Sequence, residues 1–439
     1  MHKRAIALLA LVTLGAAAPP VPEGATFTVF SRPMVTRFPD VAYDAATGAF
    51  LVVSGQGGVT GRFVAARGPD GDAFEITTNP SAYSPRVAST GDGFLVCWIV
   101  ESDGTPVTCR SVRRGAVLGA EHVVDASGGK HLESAPSLAC QSECLVTWVT
   151  SPNIDLRARR VALDGMPLGN AFDIAANAGV FEAFPAVAFG PARSEYLVVH
   201  TREPGAQAMT IAGARVSADR LAAMPFELYG ADGLCNYPEV AHDPERDRFL
   251  SIAWVHEGNA DVHGRLFESD GTTIGERIAV AASEGFEGGD GIGLAFDDGL
   301  DWYLAVYQGP ETPGRAQEVW AAPVDIDGVP APQFQATTAA AQNGIYQPRV
   351  TSDGEGRFLV VTVVDYARID GQFVVGEVPA GVGGSAGNSG AGGGSESTPL
   401  PASTSDAGCG CRMPRPSEPP TAWWLVLIAL FRARRSTAC

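Results

Sequence analysis

The most regular feature of the chain is a short apolar segment that begins with proline and recurs about every 50 residues. It has the form Pro-x-Val-Ala or a close variant, and a turn and a second apolar run rich in aromatic and β-branched residues follow it. The clear copies begin at Pro39, Pro85, Pro136, Pro185, Pro238 and Pro348. A degenerate copy without the proline lies at residues 291–296.

Each copy continues with a third apolar segment, often carrying arginine as at Arg62, then a tight turn such as Asp70-Gly71 and a fourth short segment. Four short antiparallel strands in about 50 residues are typical of a propeller blade. No apolar run keeps a helical period, which excludes helical solenoids. We therefore predict an all-β fold, a seven-bladed β-propeller of four-stranded antiparallel blades. Six or eight blades stay open as alternatives, because the copy at 291–296 is weak.

The two ends of the repeat array complement each other. The last unit lacks a fourth segment, whereas the apolar residues 27–30 precede the first unit and belong to none. We predict that residues 27–30 complete the last blade. A ring closed in this way leaves no blade interface exposed.

The first 18 residues have the order of a secretory signal peptide. Basic Lys3 and Arg4 precede the apolar residues 5–14 and the small residues 15–18, and the apolar run is too short to span a membrane. We expect cleavage near this point, and Pro19 favours a cut after Ala17. The alternative is a buried N-terminal helix.

The C-terminal region has its own order. A Gly-, Ser- and Pro-rich stretch over 380–407 is typical of a flexible linker. It leads to Gly-Cys-Gly-Cys-Arg at 408–412, a short apolar run at 422–431 and an arginine-rich end. An apolar run of this length covers only about half of a bilayer core as a helix. The expected organisation is a signal peptide at 1–18, a propeller at 19–379, a linker at 380–407 and a C-terminal segment at 408–439.

This C-terminal segment resembles the MYXO-CTERM sorting signal of myxobacterial surface proteins over residues 408–436. The resemblance implies processing near Cys409 and Cys411 by sorting machinery, and attachment to the outer cell surface. The run at 422–431 is shorter than the family pattern, and Cys439 is unusual at the end. A plain membrane tail, or a metal or disulfide site at the two cysteines, is the alternative. The repeats themselves resemble secreted bacterial β-propeller proteins in general.

Charge narrows the range of partners. The 439 residues include 31 Lys and Arg against 49 Asp and Glu, a formal net charge of −18. This balance argues against nucleic acid as a partner and leaves membrane contact to the C-terminal tail. The partner we expect is a surface ligand, either a glycan or a protein, and no cofactor.

Four cysteines in the repeats fall into two local pairs. Cys97 and Cys109 face each other if the intervening hairpin centres on residue 103, and Cys140 and Cys144 bracket a turn. Both pairs predict disulfides in an oxidising compartment, with free thiols or metal binding as alternatives. A metal site needs several convergent ligands, whereas these pairs belong to different blades, so we predict none.

Large side chains recur after the second strand's apolar run, at Trp98, Trp148, His200, Trp254 and Tyr307. They are interpreted as packing between blades, with His200 as a structural substitute for tryptophan. A ring of sugar-binding aromatic residues is the alternative.

Acidic and aromatic residues are predicted to meet on one rim, where second strands end and first strands begin. An acidic rim with aromatic residues suits a binding role at the channel mouth. The alternative function is a secreted polysaccharide lyase or glycoside hydrolase that uses rim carboxylates. No familiar catalytic motif supports it. The candidate binding residues are Glu101, Glu203, His256, Glu257, Tyr237 and Tyr346.

Overall fold

Seven four-stranded antiparallel sheets follow one another along the chain in a computed structural model of the protein. The model describes residues 18–31, 37–102, 105–126, 135–150, 154–177, 179–205, 208–217, 224–229, 234–257, 259–281, 291–309, 318–337 and 344–378. The chain divides into a unit of residues 1–384 and a unit of residues 385–439, and the second unit lies outside the described residues. The predicted signal peptide up to residue 17, the linker and the sorting segment also lie outside them.

The first strand of the chain belongs to the last blade, which we number 7. It is β1 (Val21–Ser31). Blade 1 consists of β2 (Asp40–Asp44), β3 (Ala49–Gly55), β4 (Val59–Ala65) and β5 (Gly68–Thr77). Blade 2 consists of β6 (Ala82–Ser89), β7 (Phe94–Val100), β8 (Val107–Arg113) and β9 (Val117–Asp125). Blade 3 consists of β10 (Ser137–Cys140), β11 (Cys144–Val149), β12 (Leu156–Val161) and β13 (Pro167–Ala175).

The second half of the ring repeats this order. Blade 4 consists of β14 (Phe181–Gly190), β15 (Glu195–Gly205), β16 (Ala208–Ser217) and β17 (Met224–Tyr229). Blade 5 consists of β18 (Leu234–Asp243), β19 (Arg248–Glu257), β20 (Asn259–Glu268) and β21 (Thr273–Ala281). Blade 6 consists of β22 (Ile292–Asp297), β23 (Trp302–Gln308), β24 (Val319–Asp325) and β25 (Phe334–Gln335). Blade 7 consists of β26 (Ile345–Ser352), β27 (Arg357–Val364), β28 (Arg368–Val375) and β1.

The blade count of seven is confirmed, and the weak copy at 291–296 forms a true first strand, β22. The first strands contact one another in an unbroken circle, from β2 through β6, β10, β14, β18, β22 and β26 back to β2. They therefore surround a central channel. The predicted closing strand is also confirmed, because β1 pairs antiparallel with β28 from Val21↔Val375 to Ser31↔Arg368.

Apolar clusters fill the interfaces between neighbouring blades. The alternation along each strand sends successive side chains to opposite faces of a blade, so both faces of an inner strand are buried. The cluster between blades 7 and 1 joins Val29 and Phe30 of the closing strand to Val41 and Phe50 of blade 1. Burial of this apolar surface is the main force that holds the ring together.

Arginines of the third strand reinforce several interfaces. In blade 2, Arg110 Nε donates to Gly119 O of its own fourth strand (2.7 Å), and its Nη1 donates to Ile76 O of blade 1 (2.6 Å). Arg62 and Arg159 make equivalent pairs of bonds in blades 1 and 3. The recurring arginine of the repeat thus satisfies backbone carbonyls of two blades at once.

Polar bonds at the turns after the first strands also link blades. Ser89 Oγ donates to the fully buried Asp44 (2.7 Å), and Ser352 Oγ donates to the fully buried Asp297 (2.5 Å). Each bond joins the last residues of first strands in neighbouring blades. Burial raises the pKa of Asp297, although Ser352 and two backbone N–H groups stabilise its charged form.

Proline marks a bulge in the first strand. The residue directly before it has a positive φ in five blades, at Phe38, Ser84, Phe184, Tyr237 and Gln347. Four of these lie within shifts of strand register. Proline fits there because an unpaired bulge residue donates no ladder hydrogen bond.

Both predicted disulfides are confirmed. Cys97 is the cross-strand partner of Cys109 in blade 2, and Cys140 is the partner of Cys144 in blade 3, and each pair forms a disulfide. Cys235 is buried and takes part in no disulfide within the described residues.

Substitution of Phe30 in the closing strand tests how much the ring depends on this pairing. Phe30→Ala deletes a ring that is 4% exposed between blades 7 and 1, so we expect the free energy of unfolding to fall by about 3 kcal/mol in urea titrations. Val21→Ala in the same strand is the control, because Val21 is 55% exposed. Equal stability of the two variants would contradict a closing role for β1.

Candidate functional site

Charged side chains meet in the central channel, where the sequence analysis did not place a site. They come from the variable position x of the Pro-x-Val segments: Asp40, Arg86, Glu239 and Arg349. Arg86 Nη1 lies 3.5 Å from Asp40 Oδ1, and Arg86 Nη2 lies 3.9 Å from Glu239 Oε1. Arg349 Nη1 lies 3.4 Å from the same Glu239 oxygen. Because blades 2 and 5 are not neighbours, the contact between Arg86 and Glu239 spans the channel.

The three remaining inner strands contribute no charge at position x. They carry Ser137, Ala186 and Gly293 there. The channel network therefore contains two carboxylates and two guanidinium groups, whose formal charges cancel. It links blades 1, 2, 5 and 7 through their inner strands.

The glycines of the degenerate sixth copy make room for this network. A Cβ on Gly293 would approach Arg349 Cα to 3.1 Å, and a Cβ on Gly291 would approach Arg349 Nη1 to 3.4 Å. The guanidinium of Arg349 donates to Ile292 O, between the two glycines. A side chain larger than glycine at position 293 would therefore be too close to the backbone of Arg349 and to the side chain of Val306.

Burial opposes the charges in the channel. Burial raises the pKa of Glu239, although Arg349 and Arg86 favour its charged form. Burial, together with the charge of Arg86, lowers the pKa of Arg349 to about 10. In both cases the cost of removing the charge from water exceeds the gain from its partners.

The predicted rim residues lie at one end of the blades, where second strands end and first strands begin. Glu101 follows β7 and is exposed, whereas Glu203 lies in β15 and is half-buried. His256 and Glu257 are the last residues of β19, and the side chain of Glu257 lies outside the described part of the structure. These residues belong to blades 2, 4 and 5.

Tyr237 and Tyr346 lie near the first-strand bulges on the same rim, each in contact with a second ring. Tyr237 contacts Phe184 of blade 4, with centroids 4.3 Å apart, and Tyr346 stacks on Tyr366 at 4.6 Å. The guanidinium of Arg37 lies over the other face of the blade 7 pair, 4.6 Å from the Tyr366 centroid. The rim therefore presents aromatic pairs at blades 4/5 and at blade 7.

One alignment in the sequence analysis was wrong. Trp98 and His200 are buried residues opposite the bulge, and Trp148 and Tyr307 occupy the corresponding buried positions of blades 3 and 6. In blade 5 that place belongs to Ala253. Trp254 comes one residue later and is only half-buried. A shift of one residue turns a side chain to the other face of a strand, so Trp254 does not share the packing position.

The sequence analysis also missed a charged cluster in blade 4. Glu182 is fully buried, and its Oε2 lies 3.0 Å from Nδ1 of the buried His200. Its Oε1 lies 3.5 Å from Arg202 Nε and accepts a hydrogen bond from Asn177 Nδ2 at 3.1 Å. The one sign of this cluster in the sequence is His200, which stands where the sequence analysis expected an aromatic packing residue.

Within the described ranges, no group of three or more His, Cys, Asp or Glu residues is arranged to hold a metal ion. The same part of the chain contains no helix with the length and apolar character to cross a bilayer.

No protein-family model matches the chain, and no curated protein matches its sequence. Three solved structures illustrate the similarity in fold. A protein of unknown function from Dyadobacter fermentans has 10% identity and a TM-score of 0.48, with 82% of this chain and 99% of that chain covered. A subtype N10 neuraminidase-like protein of A/little yellow-shouldered bat/Guatemala/060/2010 has 7% identity and a TM-score of 0.47, with 82% and 99% covered. The β-propeller domain of the Trilobed protease from Pyrococcus furiosus has 9% identity and a TM-score of 0.46, with 77% and 96% covered. These similarities carry no argument about function.

Neutralising Glu239 tests the balance of charge and burial in the channel. Because its pKa is raised in the folded state, its ionisation costs stability as pH rises from about 4.5 through the raised value. Glu239→Gln removes this loss, so we expect the variant to equal the parent near pH 4. At pH 8 we expect it to be more stable than the parent, because glutamine has no proton to lose in this buried position. Urea titrations at the two pH values measure this difference, and a Glu239→Gln variant that becomes less stable than the parent as pH rises would contradict it.

Proposed function

We propose that this protein is an exported β-propeller, attached to the cell surface through its C-terminal segment, that binds a ligand or partner on the rim defined above. Two disulfides within single blades carry the proposal of export, since disulfides form and persist in oxidising compartments outside the cytoplasm. The ordered signal-like pattern at residues 1–18 agrees with the same destination.

The course of the last strand supports display of the rim. Strand β28 runs from Arg368, which pairs with Val364 at the rim end, to Val375, which pairs with Arg357 at the opposite end. The closing strand begins at that opposite end, where Val21 pairs with Val375. The described chain thus enters and leaves the propeller at the end of the blades away from the rim.

The distribution of charge supports binding at the rim. The channel charges are paired with one another, whereas the rim presents partly exposed aromatic and charged side chains at several blades. Half-exposed aromatic residues are frequent anchors in binding sites because each supplies a large rigid contact area.

The anchoring part of the proposal is tested in cells. The full chain and a Cys409→Ala/Cys411→Ala variant are expressed in a myxobacterium, and the surface fraction is measured by antibody labelling of intact cells. We expect the variant to be lost from the surface and released or retained inside. Cys439→Ala, a cysteine outside the Gly-Cys-Gly-Cys element, is the matched control. Surface levels of the double variant equal to the parent would reject the sorting role.

The binding part is tested on a glycan array with residues 19–379. We expect binding above background to a defined subset of glycans, with at least a tenfold loss of affinity in Tyr237→Ala because the rim ring supplies contact area. Tyr43→Ala removes a ring near the opposite face and is the control. Absence of any binding would reject a glycan as the ligand, and pull-down with intact cells would then test a protein partner.

A further inference from the structure

Blade 4 departs from the repeat at three positions that contact one another. Each position is defined by strand register relative to the bulge. Where blade 4 has Glu182, three other blades have Ala82, Cys235 and Ile345. Where it has Arg202, the same blades have Val100, Val255 and Val364. Where it has His200, the same blades have Trp98, Ala253 and Thr362. Charged residues therefore replace apolar ones at two positions of blade 4, and an ionisable histidine occupies a third position that varies among the blades.

The three side chains form one connected group. Glu182 pairs directly with Arg202 in the strand ladder, and His200 lies two residues before Arg202, on the same face of the strand. The Glu182 carboxylate is fully buried and approached by His200 on one oxygen and by Arg202 and Asn177 on the other. Glu182 therefore contacts both of the other residues, His200 and Arg202, that distinguish blade 4.

Packing alone does not explain such a group. A buried carboxylate is costly unless it is paired, and apolar residues of similar size usually stabilise a core as well or better. The other blades demonstrate that this fold accepts apolar residues at the Glu182 and Arg202 positions. Blade 4 therefore retains a charged group where the repeat needs none, which points to a function.

Arg202 connects this buried group to the surface. Its Nε is buried beside Glu182, whereas the side chain as a whole is 42% exposed. Arg202 thus extends from the buried carboxylate of Glu182 to the surface of the rim. Glu182 Oε1 lies 3.5 Å from the buried Nε, so the carboxylate attracts the guanidinium from its inner side. That arrangement suits a carboxylate, which arginine binds through two parallel hydrogen bonds.

Aromatic rings lie on the same stretch of chain. Phe184 is two residues after Glu182, and it contacts Phe181 at 6.3 Å and Tyr237 of blade 5 at 4.3 Å between centroids. All three rings are partly exposed. Flat apolar rings accept the C–H faces of a saccharide, while a neighbouring guanidinium accepts an acidic substituent.

We infer that the blade 4 rim, with Arg202 held by Glu182 and His200 beside the Phe184–Tyr237 ring pair, is a binding site for a carboxylate-bearing glycan. This inference deepens the proposed binding function and rests on it. Arg202 is the contact residue, and Glu182 and His200 are positioning residues that set its orientation. The formal charge of −18 on the whole chain does not prevent this, because exposed charges farther away than about 8 Å are screened at physiological salt.

The test uses the full chain and a matched pair of probes in 0.15 M salt. One probe is an oligomer of galacturonic acid, and the other is the same oligomer with its carboxylates methyl-esterified. We expect calorimetric binding of the acid and at least a tenfold weaker interaction with the ester. Arg202→Gln should lose at least tenfold in affinity for the acid while keeping a cooperative unfolding transition. Arg113→Gln, at a 66% exposed arginine of blade 2, is the control and should bind as the parent does.

A second variant restores the repeat in blade 4. Glu182→Ala/His200→Trp/Arg202→Val installs residues that other blades carry at these positions, and it should lose acid binding while keeping a cooperative unfolding transition. The inference is overturned if the parent binds neither probe, if it binds both equally, or if Arg202→Gln binds as the parent does. A further outcome is array binding to a neutral glycan that is lost in Tyr237→Ala but kept in Arg202→Gln. That result would overturn the acidic ligand and leave the proposed binding function of the rim intact.

Discussion

The pairing of the first strand of the propeller with the last is the constraint on which the rest of the structure depends. Each blade buries its faces only against its neighbours, so an open array would expose two apolar faces at its ends. Strand β1 supplies the missing fourth strand of blade 7, and its Val29 and Phe30 pack against blade 1. Closure also brings the inner strands of blades 7 and 1 together, which the channel network requires.

Ring closure brings the residues at position x of the first strands together around one central channel. In five blades a residue with positive φ and a proline precede this position, and the first strands of all seven blades surround one channel. Asp40, Arg86, Glu239 and Arg349 meet there although they are as far as 309 positions apart in the chain (from 40 to 349). Ring closure also explains Gly293, because a Cβ there would approach the backbone of Arg349 and the side chain of Val306 too closely.

Departures from the repeat are informative in both the channel and the rim. Gly293 of the sixth copy is explained by close packing against the backbone of Arg349 and the side chain of Val306. The polar residues of blade 4 have no such explanation, since they replace apolar residues that the fold accepts elsewhere. Sequence alignment of the copies could have located Glu182 and Arg202 as exceptions, but only with the position of the bulge known, because an error of one residue moved Trp254 to the wrong face.

The sequence by itself determined the features that depend on neighbouring residues in the chain. The period of about 50 residues gave the blade count, the alternation of strands and turns gave the four-stranded sheets, and the hairpin spacing gave both disulfides. Only the tertiary structure decided which side chains meet across blades. The network of Glu239 with Arg86 and Arg349, and the burial of Glu182 between His200 and Arg202, follow from register and ring closure. No local pattern encodes these, because the contacts join residues that the sequence keeps apart.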